Sequence, residues 1–325
     1  MKIANRMEKL APSLTLSITA LANELKAAGK DILSFSAGEP DFDTPQVVKD
    51  AAIKAINEGK TKYTAVEGIK ETKQAIINKL KKDHNLDYTL DKIVISNGAK
   101  HSLFNLAQAL IDEGDEVIIP SPYWVTYPEL VVYSGGVPVF IETDESTEFK
   151  ITAKQLKEKI TPKTKILMLN SPSNPTGSIY SRDELLAIGE VLKGTDIVVL
   201  SDEMYEKLIY KGKKFTATAE VSEDMYNRTV TINGLSKSVA MTGWRFGYVA
   251  CPNSALAKAM SKLQGQVTSN VNSMTQYAAI VALEGEANKD IEMMRVEFEK
   301  RKDYAVKAIN NISKLSCYDP DGAFY

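Results

Sequence analysis

Between residues 93 and 251 the chain alternates short, β-branched apolar runs with amphipathic helical stretches, and no other feature restricts its fold as much. The runs fall at 93–96, 116–120, 137–142, 165–170, 196–201, 229–233 and 246–251. Helical stretches separate most of them, notably 101–111 and 181–192, the latter opening on a Ser181-x-x-Glu184 capping box. Several runs are apolar throughout and so need cover on both faces. The pattern therefore predicts an α/β fold with a seven-stranded, mostly parallel sheet sandwiched by helices. Ligands of such sheets sit at the carboxyl ends of the strands, so the residues just beyond each run are the ones to read for chemistry.

The flanking segments differ from this pattern. Residues 13–28 have mostly helical apolar spacing and stop at Gly29; then comes ILSFSAGEPDFDTP, whose Gly38, Pro40 and Pro45 forbid regular structure and suggest a loop held against something. Thr44 is expected to cap the next helix, with Pro45 at its first position. After about residue 285 the strands cease and a charged helix is expected over 289–312. Three segments follow: 1–45 as the N-terminal part of a smaller domain, 46–285 as a large domain, and 286–325 as the start of the smaller α/β domain, cut short.

The strand ends carry an unusual set of residues. Ser96-Asn97-Gly98-Ala99-Lys100 turns directly into a helix, where free N–H groups can face an anion, although Asn97 equally fits a simple cap and Gly98 a turn. SPYWVTYPE places Tyr123, Trp124 and Tyr127 beside the same edge; one could stack on a planar ring, and aromatic clusters are also common in cores. NSPSNPTG offers the amide of Asn174. SDEMYEKL puts Asp202 at the mouth of the sheet with Tyr205 about one helical turn on. A strand-end carboxylate is commonly a helix cap, but here it could pair with a protonated ring nitrogen.

The alternating run before Asn233 and Gly234 is expected to end in a turn there, followed by NGLSKSVAMTGWRFG. Lys237 in this stretch is flanked by small residues and becomes a candidate Schiff-base amine if burial lowers its pKa, while Arg245 suits bidentate phosphate recognition. Together these groups describe a pocket for a phosphorylated, cationic aromatic aldehyde, a description that pyridoxal 5′-phosphate answers.

Composition removes the main competitors. Forty basic against forty-two acidic residues leave a net charge of −2, so no global field favours nucleic acid or a membrane surface. Two histidines without ligand spacing and two cysteines without a Cys-x-x-Cys motif argue against a metal site, and cytosolic thiols are the simpler expectation. No leader-like or membrane-spanning run is found, which points to a cytoplasmic protein.

In order, AGEPDFDTP, GKTKY, SPYWVTYPE, NSPSNPTG, SDEMYE, Ser236-Lys237, MTGWRFGY and GAFY are the motifs of a known group. The chain resembles the fold-type I pyridoxal-phosphate aminotransferases, and most of all the I-beta subgroup of aspartate aminotransferases. The resemblance implies a homodimer with shared active sites that moves the amino group of aspartate or glutamate to a 2-oxo acid by a ping-pong route. It implies that Lys237 carries the cofactor and moves the proton at the substrate Cα, that Asp202 holds the ring nitrogen protonated, and that Tyr205 and Asn174 bond the ring oxygen. Trp124 would stack on the ring. Gly98, Ala99 and Arg245 would take the phosphate, with Ser236 able to supply a further contact and Tyr63 reaching the phosphate of a neighbouring subunit; Lys100 would also border the cofactor.

Gly38 would line the substrate carboxylate site, while Lys100, helped by hydroxyls near Ser13 and Thr15, would take the substrate's distal carboxylate; Trp124 and Asn174 would also border the substrate. Two departures accompany the resemblance. Gly234 stands where many relatives place a phosphate-binding Ser, and members of the group continue several dozen residues past GAFY, including an arginine for the α-carboxylate. An aromatic, prephenate or alanine aminotransferase, a β-lyase, and a non-catalytic cofactor-binding fragment are the alternatives this leaves.

Overall fold

All seven expected runs form strands: β1 (Ile93–Asn97), β2 (Glu116–Ser121), β3 (Val137–Glu142), β4 (Thr164–Asn170), β5 (Val198–Asp202), β6 (Thr229–Gly234) and β7 (Phe246–Ala250). They were located in a computed structural model that describes residues 1–12, 14–33 and 38–325, the side chains of 14–16 excepted. The strands make one sheet in the order β1-β7-β6-β5-β4-β2-β3, parallel except for β7, which is antiparallel to both neighbours.

Alternation along each strand explains the sandwich. On β4, Ile166 and Met168 face one core with Leu103 and Leu106 of the helix Ala99–Leu110, whereas Leu167 and Leu169 face another with Leu185 and Ile188 of the helix Arg182–Leu192. At the other edge, Ile93 and Ile95 of β1 pack with Ile76 and Leu80 of the helix Lys70–His84. The Ser181 capping box forms as its sequence predicts.

Register sets the site. Asn170 pairs with Asp202, Asp202 with Ile232, Gly234 with Gly247, and Asn97 with Phe246. The carboxyl ends of β1, β4, β5 and β6 therefore share one edge with the amino end of β7. Because β7 runs backwards, Arg245, just before it, arrives at that edge too. A Cβ at Gly247 would lie 2.3 Å from the backbone nitrogen of Ala99, so only glycine lets β7 press against the start of the 99–110 helix.

Three local expectations are corrected. Strand β6 continues through Asn233 and Gly234, and the turn starts only at Leu235, because pairing with β7 extends the ladder. Thr44 does not cap a helix: Pro45 occupies the N-cap of Gln46–Asn57 without a side-chain cap. The Thr44 hydroxyl instead donates to the Ala240 carbonyl (2.7 Å) and accepts from Trp244 Nε1 (2.9 Å), so long-range tethering has recruited it. Residues 203–208 form successive tight turns rather than a helix, held by Glu206 N–H to Glu203 O (3.1 Å) and Leu208 N–H to Tyr205 O (2.8 Å).

Candidate active site

A cleft of about 410 Å³ opens at the shared strand edge, and Gly38, Ala99, Lys100, Trp124, Asn174 and Asp202 border it. Tyr205, Ser236, Lys237 and Arg245 border it as well. Gly98 lies beneath Arg245: a Cβ there would be 2.3 Å from Nη2 of the guanidinium. Gly98 is the N-cap of the helix Ala99–Leu110, at φ 84° and ψ 160°. The first N–H groups of a helix have no acceptor within it, so Ala99 and Lys100 present donors beside the Arg245 cation, a cradle for an anion. Arg245 is held by Nη1 to the Thr242 carbonyl (2.8 Å). Both Ala240 (φ 50°) and Arg245 (φ 58°) are left-handed; such strain, about 1–3 kcal/mol per residue, persists where the surroundings demand it.

Asp202 ends β5 fully buried. Burial pushes its carboxyl up to about 6, against the pull of the Tyr127 hydroxyl, the Met204 N–H and the Lys237 charge. Tyr127 donates to Oδ2 at 2.8 Å, and the Met204 N–H reaches Oδ1 at 3.2 Å. Asp202 is thus a cleft carboxylate and not a helix cap, since no helix follows it. The Asn170 amide donates to its carbonyl (3.0 Å) and accepts from the Asn174 N–H (2.6 Å), tying two strand ends together.

The Tyr205 phenol is 2.9 Å from that of Tyr325, and its pKa is raised, chiefly by burial. Lys237 donates from Nζ to the Gly38 carbonyl and sits 5.5 Å over the Phe324 ring. Burial lowers its amine to about 8, with Arg245 assisting and Glu39 and Asp202 opposing. The 38–44 loop is indeed held: besides the Lys237 bond, the Thr242 hydroxyl donates to Glu39 Oε2 (2.9 Å).

Of the three aromatics of SPYWVTYPE, Trp124 and Tyr127 meet edge to face at 5.6 Å and both border the cleft. Trp124 borders the cleft with Lys100 Nζ 4.8 Å over its ring, whereas Tyr123 stacks on Phe140 at 5.0 Å. Tyr127 serves Asp202, a role the sequence alone did not disclose; its place one residue into the helix Thr126–Tyr133 gives no local hint of a partner 75 positions away. Lys100 is lowered by burial and by Arg245. Tyr63 is 92 % exposed and does not border the cleft of its own chain. Ser13 and the side chain of Thr15 lie outside the described residues. Among those residues no cluster fit for a metal ion occurs.

A buried acid, a low-pKa amine and an anion cradle meeting at the carboxyl edge of a seven-stranded sheet define a transferase of the aminotransferase fold. The chain belongs to the family described as "Aminotransferase class I and II", whose sequence model matches residues 30–325. It is 52 % identical over 325 residues to the aspartate aminotransferase of Geobacillus stearothermophilus, covering all of this chain and 82 % of that protein. To the aspartate/prephenate aminotransferase of Nitrosomonas europaea it is 48 % identical, with 100 % and 82 % covered. Among solved structures, the aspartate aminotransferase of Rhizobium meliloti superposes with a TM-score of 0.95 at 44 % identity, with 99 % of this chain and 80 % of that one covered.

Proposed function

We propose that the protein transfers the α-amino group of aspartate or glutamate to 2-oxoglutarate or oxaloacetate, using pyridoxal 5′-phosphate in two alternating half-reactions. The observation that carries this is the convergence of Lys237, lowered to about 8, and the wholly buried Asp202 in one cleft with the Gly98–Arg245 cradle. The donor set fits the cofactor: a cradle that a single methyl would fill, an acid for a cationic nitrogen, and an amine. When bound, pyridoxal phosphate supplies an aldehyde that condenses with amines and a cationic ring that draws electrons from the substrate Cα.

The remaining work falls to the chain. Arg245 and the N–H groups at Ala99 and Lys100 orient the phosphate. Asp202, steadied by the Tyr127 hydroxyl, would pair with the cationic ring nitrogen and hold it protonated. Tyr205 and Asn174 would hold the ring oxygen, and Trp124 would stack on the ring. An amine with a pKa near 8 is partly neutral at pH 7, so Lys237 would be able to move the proton held at the substrate Cα. Lys100, whose ammonium lies over the Trp124 ring, would select a substrate with a second carboxylate, and Gly38 would line the site of the first.

The same proposal includes a cytoplasmic homodimer in which the exposed Tyr63 reaches the neighbour's phosphate. It also includes the division into a 46–285 cofactor-binding domain and a smaller domain built from 1–45 and 286–325. No helix among the described residues is long and apolar enough to cross a membrane, and Cys251 and Cys317 are both free. A second reading, with prephenate as an amino acceptor, is favoured by the name of the Nitrosomonas relative.

Steady-state assays with aspartate and 2-oxoglutarate should give parallel double-reciprocal lines, and Lys237→Ala should abolish turnover. Activity surviving in Lys237→Ala would overturn the mechanism. Lys100→Ala should erase the preference for dicarboxylates, and a preference left intact would remove that residue's role.

A further inference from the structure

Behind the segment that carries Asp202 and Tyr205 lies a second group of buried charges with no part in the chemistry above. Asp202 and Tyr205 border the cleft, while Glu203 and Glu206, each one residue further on, bond to other elements. Glu203 Oε1 accepts from the Ser201 hydroxyl (2.9 Å) and the Thr218 N–H (3.0 Å). Both oxygens of Glu206 are occupied by the helix Lys70–His84: Lys79 Nζ is 2.5 Å from Oε1, and His84 Nε2 is 3.0 Å from Oε2. The other ring nitrogen of His84, Nδ1, is 3.2 Å from Glu220 Oε2.

Ionised carboxylates accept hydrogen bonds and cannot donate them. An imidazole with one on each nitrogen must carry hydrogen on both, so His84 is a buried imidazolium. Burial opposes this, but the bonds to Glu206 and Glu220 outweigh it and raise His84 to about 9. The titratable and charged groups around it are Lys79 and Asp83 of its own helix, Glu203, Glu206 and Lys207 of the turn, Glu220 with Arg182 behind it, and Tyr248 of β7. Loss of the proton would set a nitrogen lone pair against a carboxylate at Glu206 or at Glu220, and Glu206 would face one cation fewer.

We propose that His84, acting through Glu206, is a positioning residue: its protonated ring fixes the 202–206 turn and thereby the Asp202 carboxylate and Tyr205 phenol that the cofactor meets. This rests on the cofactor reading given above. If one arrangement of the turn both holds the cofactor and favours the proton on His84, the two bindings are reciprocally linked. Cofactor must then raise the proton affinity of His84 by the factor by which protonation raises cofactor affinity.

The chain contains two histidines, His84 and His101, so imidazole ¹⁵N spectra of the whole protein resolve the question, with His101→Gln for assignment. Cofactor-free protein should show His84 doubly protonated at neutral pH and titrating near about 9. Loading with pyridoxal phosphate should move that midpoint upward by about half a pH unit or more, equivalent to about threefold in affinity. An unmoved midpoint in loaded protein, or a neutral His84 at pH 7, overturns the inference. If the wild type fails to bind pyridoxal phosphate at all, the functional reading falls and the coupling with it.

As a second measurement, Glu206→Gln should weaken cofactor binding about tenfold in equilibrium dialysis and abolish the His84 shift. Lys150→Met breaks a comparable set of ion pairs, to Glu148 (2.8 Å) and Glu184 (2.7 Å), away from the cleft lining; it should lower thermal stability and leave cofactor affinity unchanged. Equal weakening by Lys150→Met would mean general softening of the fold and would overturn the proposal, as would unaltered binding in Glu206→Gln.

Discussion

Gly98→Ala is the substitution whose cost can be worked most fully from the structure. The residue sits at φ 84° and ψ 160°, a region essentially restricted to glycine, so an alanine there carries about 1–3 kcal/mol of backbone strain. Its Cβ would fall 2.3 Å from Nη2 and 2.8 Å from Cζ of Arg245. Those atoms are the far end of a long side chain, so the guanidinium can swing aside while the sheet stays intact. The fold should survive, with an unfolding free energy in urea lowered by about 1–3 kcal/mol.

The displaced guanidinium then no longer meets an anion in the cradle. Hydrogen bonds to charged groups contribute about 1.5–3 kcal/mol, so the dissociation constant for pyridoxal phosphate, followed by absorbance titration, should rise about 10- to 100-fold. Gly247→Ala provides the contrast, because its Cβ would strike backbone atoms, Ala99 N at 2.3 Å and Gly98 C at 2.4 Å; it should damage folding more than Gly98→Ala does. Unchanged cofactor affinity in a folded Gly98→Ala protein would refute the cradle.

Asp202→Asn should raise the stability of the cofactor-free protein at pH 7 while destroying turnover. A carboxyl raised from 3.8 to about 6 holds its proton more tightly folded than unfolded, so it costs stability as pH climbs through that window and the full cost persists above it. Removing it should return up to about 3 kcal/mol in denaturant melts at pH 7 and almost nothing at pH 3, and an equal effect at both pH values would contradict the assignment. Because the neutral amine of Lys237 is the reactive form, cofactor loading should accelerate with rising pH and level off above about 8; a rate flat across that range would speak against the lowered amine. Ser181→Ala removes a capping box and should cost about 1 kcal/mol in urea without altering cofactor affinity.

Much of this architecture was legible before any coordinates because it follows from local chemistry. Seven β-branched runs became seven strands with bounds displaced by at most two residues, since a strand covered on both faces must be apolar nearly throughout. Gly98 and Asp202 were readable from their places at strand ends. Thr44 and Gly234 misled for a common reason: each looked like a local punctuation mark, but a distant partner, Ala240 and Trp244 for one and β7 for the other, redirected it.

The sequence by itself determined the strand-helix rhythm, the edge at which chemistry gathers, and the residue types that gather there, because backbone propensity and side-chain period act over a few neighbours. Only the tertiary structure decided that β7 runs antiparallel and so delivers Arg245 to that edge, that Tyr127 rather than Tyr123 serves Asp202, and that His84 reaches Glu206 across 122 positions. Such contacts depend on which strands become neighbours and how deeply each charge is buried. No short window of sequence contains either quantity.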